Sequence, residues 1–80
     1  MDNHSSVHNF SRNTRYLRIK HQLSLSEMAA IIGISVSTLR RLEMGMPSVR
    51  MNCVMLNRVC NHFDVSADVM IRERLEELEA

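Results

Sequence analysis

Gly33 is the residue that most restricts this chain. It separates "SLSEMAAII" from "ISVSTLRRLEMG", two segments too short to be stable alone and each amphipathic at helical spacing. In the first, Met28, Ala29, Ile31 and Ile32 make an apolar face. In the second, Leu39 and Leu42 lie three apart and point inward. At 100° per residue, Ser37, Arg40, Arg41 and Met44 fall on the opposite side. Both segments carry start signals. Ser24 and Glu27 form a capping box, with Leu23 and Met28 as a hydrophobic staple beside it, and Ser35 is an N-cap candidate. A glycine after a helix takes positive φ at little cost. The pattern predicts two helices joined by a tight turn, with Ala29 small enough for a close crossing. The outer face of the second helix is basic and hydroxyl-bearing, with no acid until Glu43.

The remaining segments are also helical in pattern. Residues 1–9 are polar and unpatterned, and read as a flexible N-terminal arm. A helix is expected from after Ser11 to about Gln22, with Tyr16, Leu17, Ile19 and Leu23 on one side and basic residues on the other. Gly45 stops the helix that follows Gly33, and a loop containing Pro47 comes next. A fourth helix is expected from near Asn52 to Phe63, striped by Leu56, Val59, Cys60 and Phe63. Ser66 caps a fifth, which carries Val69, Met70, Ile71, Leu75 and Leu78 and ends in acid over residues 72–80. Leu75 and Leu78 read either as a frayed tail or as half of a dimer contact, and the second is favoured. The expectation is one all-α domain over residues 10–80. Two glycines, one proline and a core of aliphatic and sulfur side chains agree with it.

Charge is divided along the chain. Residues 1–62 hold eight Lys/Arg and three acids, whereas residues 63–80 hold six acids and two arginines. A basic body with an acidic end suits an anionic partner on one face only. No apolar run is long enough to span a bilayer, and "MDNHSSVHNF" has no apolar signal core. Cys53 and Cys60 are separated by about 10.5 Å of helix, too far for a disulfide. They read as buried or half-buried thiols of a cytoplasmic protein. With His62 they match no common zinc spacing, and His4 and His8 in the arm add no convergent ligand set. No nucleophile elbow or acid–base pair is present. No metal, cofactor or enzymatic activity is expected. Taken alone, Arg40 and Arg41 fit an ordinary solvated helix face better than a contact surface.

Taken together, "RYLRIKHQLSLSEMAAIIGISVSTLRRLEMG" and "VCNHFDVSADVMI" resemble the phage-repressor-like (Xre, Cro/cI-type) helix-turn-helix family, over about Asn13 to Ile71. The resemblance lies in Leu17-Arg18, Glu27-x-Ala29, the turn "GIS", the "ST-hydrophobic" step and Glu43-x-Gly45. It implies a compact five-helix, lambda-repressor-like fold that binds a double-stranded DNA operator, usually as a homodimer. It also implies an ion pair between Arg18 and Glu43. By family position, Val36, Ser37, Arg40 and Arg41 face the major groove, and Ser24, Ser35 and Arg50 lie near phosphates. Leu25 stands where many members carry Gln, and the loop after Gly45 is about three residues longer than in compact phage proteins. The expected function is a transcriptional regulator of repressor type. An antitoxin or another protein-interaction module on the same fold is the alternative, with a protein partner bound by the acidic end or the Met-rich stretch Met44–Met55.

Overall fold

The computed structural model describes residues 3–46 and 49–79; the loop at Pro47 lies outside them. It is all-helical, with α1 (Asn3–Lys20), α2 (Leu25–Ile32), α3 (Val36–Glu43), α4 (Cys53–Phe63), α5 (Ala67–Arg72) and α6 (Leu75–Leu78). α2 through α5 each start from a side-chain cap. Ser24, Ser35, Asn52 and Ser66 accept from the N–H of Glu27, Thr38, Met55 and Val69 respectively. Such caps satisfy donors that a helix end leaves orphaned. Gly33 ends α2 at φ +84°, and its N–H donates to Ala29 O at 2.8 Å.

One core gathers all these helices. Phe10 and Leu17 of α1, Met28, Ala29 and Ile32 of α2, Leu39 and Leu42 of α3, Met55 and Val59 of α4, and Met70 of α5 are buried together. α1 packs chiefly on α5 and also touches α3 and α6, while α2 packs on α3 and α4.

Three expectations are corrected. First, the helix expected after Ser11 starts at Asn3, so the segment read as a loose arm forms the opening turns of α1 from that residue on. The buried face of α1 is largely polar, which hid it. Ser11, Asn13 and Thr14 are buried beside Phe10, and Asn9 Nδ2 donates to Ile71 O at 3.0 Å. Ile19, expected on the apolar side, is 51% exposed.

Second, the fifth helix is broken into α5 and α6, giving six helices rather than five among the described residues. Glu73 and Arg74 are extended between them. Asn13 organises the break. Its Nδ2 donates to Met70 O at 2.9 Å and Glu73 O at 2.8 Å, and its Oδ1 accepts from Leu75 N at 2.9 Å. These bonds replace helix bonds that the break removes. Leu75 is thereby turned into the core, at 4% exposure, and is no part of an outer dimer face. Leu78 stays exposed.

Third, Cys53 is exposed rather than buried; Cys60 is half-buried, and burial raises its thiol pKa. Both are free thiols.

Candidate nucleic-acid interface

α3 is the element that the core presents outward. Leu39 and Leu42 are fully buried, which fixes the rotation of the helix about its axis. Ser37, Arg40 and Arg41 are therefore exposed on its far side. Val36 differs from that expectation in degree. It is half-buried and packs on the edge of the core, so only part of its side chain faces outward. Met44 continues the outward face and is 73% exposed.

The starts of α2 and α3 are each capped by a serine. Ser24 Oγ accepts from Glu27 N at 3.0 Å, and Glu27 Oε1 accepts from Ser24 N at 2.8 Å. Ser35 Oγ accepts from Thr38 N at 3.0 Å and donates to Thr38 Oγ1 at 2.8 Å. The N–H groups of Val36 and Ser37 lie before the first intrahelical donor of α3, so they point out of its end. Such an end attracts anions. The Ser35 proton is already engaged by Thr38, so backbone N–H groups are the readier donors there. Arg50 is exposed in the connection between α3 and α4.

α3 is also fastened at its far end. Arg18 Nε donates to Glu43 Oε2 at 2.8 Å and Arg18 Nη2 to Glu43 Oε1 at 3.0 Å, a two-bonded fork. Arg18 Nη1 donates to Leu23 O at 3.3 Å. The side chains are only 19% and 7% exposed. The carboxylate raises the Arg18 pKa above its ordinary value. The pair thus ties α1 and the chain just after it to the last turn of α3.

Arg58 of α4 joins the turn from a distance the sequence does not show. Its guanidinium lies about where a Gly33 side chain would reach, with Cζ 3.3 Å from an ideal Cβ position. A cation there lies at the negative end of the α2 dipole. Gly33 is thus required for its positive φ, and a side chain there would also press on the exposed Arg58 guanidinium.

A buried pair of helices, a glycine turn and an outward basic helix are the parts of a helix-turn-helix. The family model for the Cro/C1-type HTH DNA-binding domain matches residues 13–73. The chain belongs to this family. Comparisons with curated proteins and with solved structures give no match. The Cro/C1-type domain is a DNA-binding unit, and the match supports a DNA-binding transcription regulator. Among the described residues no helix is long and apolar enough to cross a membrane. The match begins ten residues after α1 starts and ends before α6.

Proposed function

We propose that this protein is a repressor that reads a double-stranded DNA operator with α3 in the major groove, two copies binding as a homodimer. The observation that carries the reading is the exposed Ser37–Arg40–Arg41 face of a helix held at both ends. In the groove, Arg41 and Arg40 make bidentate bonds to guanine O6 and N7. Ser37 bonds a base or phosphate, and the outer part of Val36 packs on a thymine methyl. Ser24, Ser35 and the helix N-termini around them, with Arg50, grip phosphates and set the register. Occupation of a promoter then blocks polymerase.

Selection from a random duplex library tests this. An enriched motif with two-fold symmetry is expected, and no enrichment by folded protein would overturn the reading. A second reading, an antitoxin or interaction module, is favoured by the exposed Met44 and Met46 just after α3, at 73% and 40%. It predicts a co-purifying protein that protects these methionines from oxidation.

A further inference from the structure

α1 carries four cations in its last three turns: Arg12, Arg15, Arg18 and Lys20. Arg18 is committed to Glu43. Arg12 and Lys20 meet the chain's own end. Arg12 Nη2 lies 3.3 Å from Glu76 Oε1, and Lys20 Nζ lies 2.6 Å from Glu79 Oε1. Between them, Tyr16 Oη donates to the same Glu79 oxygen at 2.7 Å. Arg12, Tyr16 and Lys20 are spaced i, i+4, i+8 and so form one stripe along α1. α6 lies on this stripe because Asn13 and buried Leu75 seat its first residue. Arg15 makes no ion pair among the described residues.

The stripe is not remote from α3. Arg12, Arg15 and Tyr16 line one open depression of about 380 Å³ together with Arg74, Glu76 and Glu43, the last residue of α3. The whole molecule extends only 31 × 28 × 20 Å. The strap contacts are also weakly held. The side chains are 43% and 62% exposed at Arg12–Glu76, and 44% and 36% at Lys20–Glu79. Exposed pairs of this kind contribute little net stability. Duplex DNA presents one charge about every 1.7 Å, so it is a strong competitor for such cations.

We propose that α6 is an electrostatic strap: Glu76 and Glu79 occupy Arg12 and Lys20, which otherwise bind phosphates flanking the groove taken by α3. The proposal rests on the DNA-binding reading. Arg12 and α6 lie outside the residues that the family model matches, whereas Lys20 lies within them. On an operator, phosphate replaces carboxylate on α1; on arbitrary sequence the strap stays closed and Arg12 and Lys20 meet no phosphate. The strap therefore lowers affinity for arbitrary sequence, where α3 supplies no base contacts to offset the exchange.

The test is a salt series of binding to a labelled duplex of arbitrary sequence, with heparin as a second anion that has no bases. Glu76→Gln/Glu79→Gln is expected to bind the duplex several-fold tighter. Its log–log salt slope steepens by about 1.8, for two further phosphates at about 0.9 each. Asp64→Asn/Glu73→Gln changes net charge equally but frees no α1 cation, and should keep the wild-type slope. Adding Arg12→Gln/Lys20→Gln to the first variant should restore that slope. All these positions except Lys20 and Arg12 lie on exposed turns or α6, and circular dichroism checks folding. An unchanged slope for Glu76→Gln/Glu79→Gln, or an equal gain in the charge-matched variant, overturns the strap. In that case wild-type binding still upholds the DNA reading. If neither protein binds duplex, the DNA reading falls and takes phosphate as the competitor with it. Tighter heparin binding by the first variant alone would then leave only a masked anion site.

Discussion

Arg41 and Arg18 are both arginines of the helix-turn-helix, yet their loss should be felt in different measurements. Arg41 is exposed and makes no ion pair among the described residues. Arg41→Ala is expected to leave stability within about 0.5 kcal/mol, as surface substitutions do. It should cost about 1–3 kcal/mol of discrimination at one base pair. Paired melting and binding curves check this, and a large fall in melting temperature would place Arg41 inward. Arg18 is the reverse case. Arg18→Ala strands a Glu43 carboxylate that is only 7% exposed. A fully buried orphan costs about 3–5 kcal/mol. Here the Arg18 side is partly open to water, so roughly 2 kcal/mol is expected, a fall of about 10 °C for a domain this size. An unchanged midpoint would mean that water replaces the guanidinium at no cost. Arg18→Lys should recover only part of the loss, because an ammonium cannot form the two-bonded fork.

At the scale of elements, the joint between α5 and α6 depends on one side chain in α1. Asn13→Ala removes three hydrogen bonds and leaves the backbone groups of Met70, Glu73 and Leu75 to find other partners. α6 is expected to detach before the core melts, seen as lost hydrogen-exchange protection at Leu78 and Glu79, whose N–H groups donate to Arg74 O and Leu75 O. Retained protection would show that Leu75 burial alone seats α6. The seat is also titratable. Lys20 first, then Tyr16, hold the Glu79 carboxyl below its ordinary value. A depressed folded pKa makes the contact favourable above the unfolded value and lost as pH falls through the folded one. The Glu79 carboxyl resonance should therefore titrate below the usual glutamate range, and Lys20→Gln should move it up. No movement would mean that Lys20 and Glu79 do not meet in solution. These long-range bonds also explain what the sequence could not reveal. The starts of α2, α3 and α5 were legible because a serine cap and its partner lie three residues apart. The outward placement of Ser37, Arg40 and Arg41 was legible because Leu39 and Leu42 fix the period. The true start of α1 and the break at Glu73 were not legible, because Asn9 and Asn13 find partners some sixty residues away. Likewise Arg58 reaches Gly33 only through the packing of α4 on α2.

At the scale of the whole molecule, size and energy both argue for two copies on DNA. α3 has eight residues, about 12 Å of helix, which covers only a few base pairs. On the proposed reading, its two arginines each add about 1–3 kcal/mol of discrimination through bidentate bonds to guanine. One copy therefore supplies roughly 2–6 kcal/mol, below or at the low end of the 4–10 kcal/mol that separates specific from non-specific binding. Two copies bring the sum to roughly 4–12 kcal/mol, which spans that range. The longest dimension of the domain is 31 Å, so neighbouring copies fit on successive major grooves about 34 Å apart. The expected operator thus holds two half-sites, centre to centre about 10–10.5 base pairs, in inverted order. A labelled duplex with both half-sites should bind cooperatively. Moving one half-site by half a helical turn puts the second groove on the opposite side of the duplex and should abolish cooperativity while leaving single-site binding. Equal cooperativity at both spacings would mean that the copies meet through a flexible connection. Strong binding to an isolated half-site would mean that one α3 suffices and that the energy argument omits contacts outside it.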